Sequence, residues 1–529
     1  MDAISYTRNH SLVVSITAAT ALITSTACII NFWRSWYLKD KARHDGFNKI
    51  PIAKGAIPYF GHLFAFPKGE NLPTAIVKWQ KETGPIMRIY MGVQPIVFVS
   101  DALLAHQLMN VHGVKTAHRP DHIYWSMYQS RKQGLAFNDP NICWKKIRQA
   151  LSKFVSQDYI LDHVEAPLCS EVDETLTLLM DTTTHDGQVD VFKPMQLITL
   201  NIALMITFAM HATSIHDTLF ETLVDYIDRG VEYLGPLGDT SMQLPHLAWM
   251  IELFTKNRKA MADFSFKERD PYYYDLVEKA LASDQDCFAK AIDAMRDDVH
   301  VTKETVMIAC HDMIVAVTDP TAASVTWALA LLCANPQAQH RMQEEIDAYL
   351  ASHQGQIPTF ADYAELPLVM SGIKECLRVR SIAPFALPHE ASQDVEFNGY
   401  VIPKGTIIFG NLDTMHEDPN LYDNPHEFIV DRFLDKPTLS SKLSKATPAE
   451  RDHYAFGWGR RMCPGAYFGE FMMFNLLVRV LAKATIEPAM DKEGKPLYPN
   501  IHERQPGDAL ILPKQSSMRF VPRATTAVQ

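Results

Sequence analysis

The chain has 529 residues, 47% of them hydrophobic and 21% charged, with 26 Phe, 19 Tyr and 8 Trp. That is material for a large core, and it excludes a disordered scaffold. With 61 acidic against 50 basic residues the formal charge is −11, so a global basic field for nucleic acid is absent.

In chain order, the first feature is an uncharged run from Ser11 to Trp33, long enough at about 1.5 Å per residue to span a bilayer. Arg34, Lys39, Lys41 and Arg43 follow it. Positive flanks stay on the cytosolic side, which makes residues 1–10 a short luminal tail and 11–33 a single-pass anchor. A cleaved signal peptide is the rival, but the apolar run is long for one. Asn9-His10-Ser11 matches a glycosylation sequon that abuts the membrane. Residues 34–62 are basic and then rich in Pro and Gly, from Pro51 to Gly61, and read as a hinge before a body spanning 63–529.

Ile86–Tyr90 and Ile96–Ser100 flank Met91-Gly92-Val93-Gln94-Pro95 and predict a hairpin. Helical patterns then dominate to about residue 380. A second strand-rich patch takes in Val395–Phe397, Tyr400–Ile402 and Thr406–Phe409. The reading is mainly α with small β-sheets. The 8 Cys stand singly, without a C-x-x-C; this fits neither a disulfide framework nor a zinc site and points to a reducing compartment.

Chemistry concentrates in Phe456-Gly457-Trp458-Gly459-Arg460-Arg461-Met462-Cys463-Pro464-Gly465. A thiolate ligand needs a negative sulfur, donors to steady it and backbone that approaches closely. Gly459 and Gly465 permit tight or left-handed backbone beside the sulfur. Pro464 suits the first turn of a helix from Ala466 to about Ala484. Cys463, at that helix's positive end, is expected to have a lowered pKa and to receive backbone amides. Arg461 is placed to meet a negative group on the same ligand, and Phe456 to pack beside the sulfur. A structural Cys in a Gly-rich loop is the plainer alternative, but the complete pattern F-x-x-G-x-R-x-C-x-G is rare by composition.

This pattern resembles the haem-binding signature of the cytochrome P-450 superfamily, of the membrane-anchored microsomal type, and the C-terminal half looks most like fungal members. The resemblance implies the mainly-α P-450 fold, with 63–529 as the haem-thiolate catalytic domain. It also implies haem b with Cys463 as the axial iron ligand and Gly465 beside it. Glu375 and Arg378 match the family's E-x-x-R, and Arg432 the arginine that joins the pair in a structural network. Trp144 and Arg148 match a W-x-x-x-R whose members bond haem propionates, and His389 falls where the family keeps a propionate-binding Arg or His. His416, His426 and His453 form no ligand pattern.

The oxygen-activating pattern A/G-G-x-D/E-T-T falls on Ala316-Val317-Thr318-Asp319-Pro320-Thr321. Asp319 keeps the acid, but Val317 replaces a glycine and Pro320 replaces the threonine whose alcohol helps deliver protons. Proline removes an amide donor and frees the carbonyl four residues earlier, on Ala316. Thr318, Thr321, a water or a substrate hydroxyl is left to complete the relay.

The implied function is a monooxygenase at the endoplasmic reticulum membrane with its catalytic domain in the cytosol. It would insert one oxygen of O2 into a small organic substrate of the secondary-metabolite class. Its electrons come from NADPH through a separate flavoprotein reductase, since the chain carries no flavin or NADPH fingerprint. Rival readings are an atypical P-450 that rearranges or dehydrates its substrate, and a non-catalytic membrane haem-binding protein. Lys145 and Lys146 are expected to project outward as a reductase-docking surface, with Lys153 and Arg460 nearby. Residues 118–137 are expected to shape the pocket.

Overall fold

The computed structural model describes residues 45–66, 72–121, 124–231, 243–296, 299–505 and 510–523. The luminal tail, the anchor and the first residues of the hinge lie outside them. Residues 47–62 lie against the body: Phe47 and Ile50 are wholly buried. The Arg88 amide donates to the Pro51 carbonyl at 2.8 Å and the His62 amide to the Tyr90 carbonyl at 2.7 Å.

The strands are β1 (Ile86–Met91), β2 (Gln94–Val99), β3 (Val189–Asp190), β4 (His389–Glu390), β5 (Val395–Phe397), β6 (Tyr400–Ile402), β7 (Ile407–Gly410), β8 (Ala484–Met490), β9 (Pro496–Leu497) and β10 (Ser517–Pro522). β1 and β2 form the predicted hairpin, in register from Ile86 opposite Val99 to Met91 opposite Gln94. Its turn places Gly92 at φ 58°, the left-handed region where a Cβ is penalised. The second strand-rich patch divides. β5 and β6 pair only with each other, whereas β7 runs parallel to β2 and carries β4 on its other edge. A further sheet, ordered β3-β10-β8-β9, joins segments too far apart in sequence for a local pattern to announce it.

Around these small sheets the body is helical. Its principal helices are α1 (Ile142–Phe154), α2 (Glu165–Asp186), α3 (Phe192–Phe208), α4 (Thr218–Val231), α5 (Asp270–Ala282), α6 (Lys303–Ala334), α7 (Pro336–Ser352), α8 (Pro367–Val379) and α9 (Ala466–Lys483). α1 starts at Asn141, whose side chain accepts from the Trp144 amide at 2.8 Å. It buries Cys143, Trp144, Ile147, Ala150, Leu151 and Phe154, spacings of three and four that make one helical face. α6 opens on a reciprocal cap between Thr302 and Thr305 and at 32 residues is about 48 Å long. It is long and apolar enough to cross a membrane, yet most of it is buried inside the protein. α3, α5, α8 and α9 pack against it, so α6 is the axis of the core.

Candidate active site at the cysteine loop

The cysteine loop folds back on itself before α9. The Cys463 amide donates to the Phe456 carbonyl at 2.9 Å, and the Phe456 ring covers Gly469 on the first turn of α9, where an added Cβ would meet it at 3.3 Å. Gly457 and Gly459 are left-handed, at φ 76° and 52°. A Cβ on Gly459 would sit 2.4 Å from the Met109 carbonyl oxygen, so here the backbone demands glycine. Gly465 departs from expectation: its φ is −91°, it caps α9, and Pro464 lies outside the helix. Its role is proximity, because its Cα is where a side chain would come up against the Cys463 sulfur, 3.8 Å from an added Cβ.

Cys463 retains accessible surface, yet protein crowds it so closely that desolvation dominates its acidity. The expected fall in pKa is not what the protein alone produces. Burial pushes the thiol up, and the Gly465 amide and Arg148, which both favour the thiolate, only partly oppose it. Further positive charge at the sulfur is what this site calls for, and a metal ion supplies it.

Beside the sulfur lies a group of arginines. Arg148 and Arg461 both lie over the Trp144 ring, their guanidinium carbons 5.0 and 4.9 Å from its centroid. Its indole N–H donates to the Leu135 carbonyl at 3.1 Å, which leaves its π face to the cations. Arg461 does not reach out as expected: Nε donates to the Ala117 carbonyl at 2.7 Å, and the Nη atoms to those of Leu135 and Asn138. Arg148 makes no hydrogen bond or ion pair among the described residues, but it and Cys463 feel each other's charge.

Arg119, a residue the sequence did not single out, completes the group. It is 6% exposed and donates through Nε to the Ala136 carbonyl at 2.9 Å. Through Nη1 it reaches the Leu387 and Pro388 carbonyls. Burial lowers its pKa, Arg461 lowers it further and Asp139 opposes both. The adjacent His389 is fully desolvated and pushed down to about 3, with Arg119 and Arg461 adding to the effect of burial. Its Nδ1 faces the Thr116 carbonyl at 2.8 Å. A carbonyl only accepts, so the neutral ring donates there and Nε2 is left an acceptor. An acceptor offers nothing to a carboxylate, and Arg119 is the better-placed donor. Arg119 and Arg461 share one carboxylate, Asp139, and Arg148 feels only the Cys463 thiol; this excess of positive charge fits an anionic ligand, and a thiol and its donors beside it fit haem, whose edge carries propionates.

Glu375, Arg378 and Arg432 form one buried network, tied through His416 to Tyr454 just before the cysteine loop. Arg378 grips Glu375 through Nε at 2.7 Å and Nη2 at 2.8 Å, and Arg432 Nε lies 3.0 Å from both Glu375 oxygens. The remaining arginine donors end on the carbonyls of His416, Asp423, Asn424, Pro425 and Glu427, which holds the 416–429 segment onto α8.

α6 continues unbroken through Pro320. In the middle of this helix Ala316 is exposed, and Val315, Val317, Pro320, Thr321 and Ser324 are partly so. At 100° per residue all of these but Val315 make one stripe. Thr321 lies on it. Thr318 does not: it is wholly buried and its hydroxyl donates back to the Ile314 carbonyl at 2.7 Å. Asp319 falls beside the stripe, its Oδ1 accepting from Gln196 Nε2 at 2.7 Å. Burial pushes this carboxyl up to about 6, Gln196 pulls it down and Asp228 pushes it up.

A fold of this kind around a thiol–arginine site defines a class of haem-thiolate proteins, and the comparisons agree. The family model for cytochrome P450 matches residues 51–513: the chain belongs to the cytochrome P450 family and is an oxidoreductase of the P450 monooxygenase type. It is 26% identical over 473 residues to the steroid 17-alpha-hydroxylase/17,20 lyase of Felis catus, covering 86% of this chain and 89% of that one. Cytochrome P450 monooxygenase 79 of Postia placenta is also 26% identical, over 524 residues covering 90% and 91%. A solved zebra fish cytochrome P450 with abiraterone superimposes at a TM-score of 0.68 with 19% identity, over 85% of this chain and 99% of that one, a likeness of fold alone.

Proposed function

We propose that the protein is a haem-thiolate monooxygenase anchored in the endoplasmic reticulum membrane by residues 11–33, with its catalytic domain in the cytosol. Its substrate is a small organic molecule of the secondary-metabolite class, and its electrons come from NADPH through a flavoprotein reductase. The observation that carries the reading is the meeting of one accessible, desolvated thiol, Cys463, with an arginine group in which Arg148 makes no hydrogen bond or ion pair among the described residues. Haem bound there supplies oxygen activation: with two electrons and two protons one oxygen of O2 enters the substrate and the other leaves as water.

The chain's own groups do the rest. Cys463 Sγ binds the iron, and the Gly465 amide and Arg148 steady its negative charge. Arg119 and Arg148 hold the propionates, and Arg461 and Trp144 brace Arg148. The small side chains of the α6 stripe, Ala316, Val317 and Pro320 with the hydroxyls of Thr321 and Ser324, line the substrate side of the helix. Asp319, whose carboxyl burial lifts to about 6, is mostly carboxylate in the cytosol but takes up and gives back a proton more readily there than an ordinary aspartate. One observation favours a second reading, rearrangement or dehydration without external electrons: Pro320 occupies the stripe where the family carries an alcohol. The test is reconstitution with a reductase and scanned metabolites, with and without NADPH. Product that needs both O2 and NADPH supports monooxygenation; product without NADPH overturns it in favour of rearrangement.

A further inference from the structure

The two oxygens of Asp319 are treated differently. Oδ1 is held by Gln196, while Oδ2 has no hydrogen-bond partner among the described residues. Residues three apart are neighbours on a helix, so Asp319 stands beside Ala316, the exposed point of the α6 stripe. The Ala316 carbonyl is the one that Pro320, lacking an N–H, leaves open in the i to i+4 ladder. An unbonded carboxylate oxygen and an unclosed carbonyl therefore come from neighbouring positions on α6, at its exposed stretch.

Gln196 is fixed in turn. It is 2% exposed, and the neighbouring Thr199 hydroxyl lies 3.1 Å from the Gln196 carbonyl and 2.9 Å from that of Thr318. This bridge fixes α3 against α6 on the Thr318 side of Asp319. The charged group that acts on Asp319 is Asp228 of α4, which is itself subject to Asp225 on the same helix and Lys193 on α3.

We propose that Gln196 is a positioning residue for proton delivery: by taking Oδ1 it presents Asp319 Oδ2 to the Ala316 carbonyl, and the two hold a water in place of the missing alcohol. The inference rests on the monooxygenase reading. A proton leaves Oδ2 for this water, which passes one of its own to the reacting oxygen. Asp319 is left as carboxylate and is reprotonated from solvent on the α4 side, where Asp228 is exposed.

The test is an infrared titration of the resting haem protein, with Asp319→Asn identifying the carboxyl band. Gln196→Met keeps the bulk and removes the donor. The carboxylate loses the hydrogen bond that favours its charged form, so the midpoint should rise by about one pH unit. Product per NADPH should fall several-fold while peroxide release rises and substrate affinity holds. Thr199→Val, at the same helix interface, should leave the midpoint in place. An unmoved band in Gln196→Met, or an equal shift in Thr199→Val, overturns the proposal. The reduced carbon monoxide spectrum of the wild-type protein tests the haem-thiolate reading separately, so a normal spectrum with an unmoved band defeats this inference alone.

Discussion

At Cys463 the protein supplies an accessible but desolvated thiol whose pKa burial raises, with the Gly465 amide and Arg148 opposing only in part. Cys463→Ala should therefore bind haem weakly through the arginine group and lose the strongly red-shifted Soret band of the reduced carbon monoxide complex; survival of that band would place the ligand elsewhere. Glu375 poses the opposite case, a charge fully paired in the core. Its side chain is wholly buried beneath Arg378 and Arg432. Glu375→Ala leaves two arginines without their counter-ion, which for buried pairs costs about 3–5 kcal/mol. Denaturant unfolding should show that loss, with Glu375→Gln intermediate. These residues were legible because their spacing is local or their motif complete: Cys463 in its loop, Glu375 and Arg378 one turn apart, Trp144 and Arg148 on one face. Arg119 and Gln196 were not, since a lone Arg before a Pro and a Gln in an apolar helix carry no pattern. Their partners are remote: Leu387 lies 268 residues from Arg119 and Asp319 lies 123 residues from Gln196.

Elements follow the same logic. The β1–β2 hairpin and the 32-residue α6 are local, and periodicity and turn chemistry reveal them. The parallel pairing of β7 with β2 is not local, and neither are the joining of β10 to β3 and β8 or the docking of residues 47–62. Pro320 is the element-scale anomaly. A proline inside a helix costs about 3 kcal/mol relative to alanine, a cost α6 bears in the middle of the core. Pro320→Ala restores the N–H that closes the Ala316 carbonyl. It should raise the unfolding temperature and, by removing that open carbonyl, lower coupling of NADPH use to product. Pro320→Thr closes the same carbonyl but returns an alcohol to the stripe, so its coupling should exceed that of Pro320→Ala. Proton help of this kind is typically worth ~10²–10⁴-fold, ample for detection by product and peroxide yields. If Pro320→Ala couples as well as wild type, the open carbonyl is irrelevant.

At the scale of the whole molecule the difficulty is that a chain of net charge −11 must bring an electron donor to its cysteine face. Trp144 and Arg148 of α1 turn inward to Arg461, which carries the loop of Arg460 against the same helix. Neighbours one apart on a helix diverge, and Lys145 is exposed on the outer side, as is Arg460. Lys146 is half-buried, and Lys153 is paired with Asp286, so neither contributes as freely as its position in the sequence suggested. Exposed charges add little to stability, but they steer encounter and respond to salt. Lys145→Glu with Arg460→Glu should therefore leave haem content and substrate binding intact and slow reduction by the flavoprotein. Charge attraction is screened beyond about 10 Å at 0.1 M salt. Stopped-flow reduction of wild type should accordingly fall with ionic strength, while the double variant, having lost the attraction, should respond weakly or in the opposite sense. Equal rates and equal salt slopes would put the docking surface on another face.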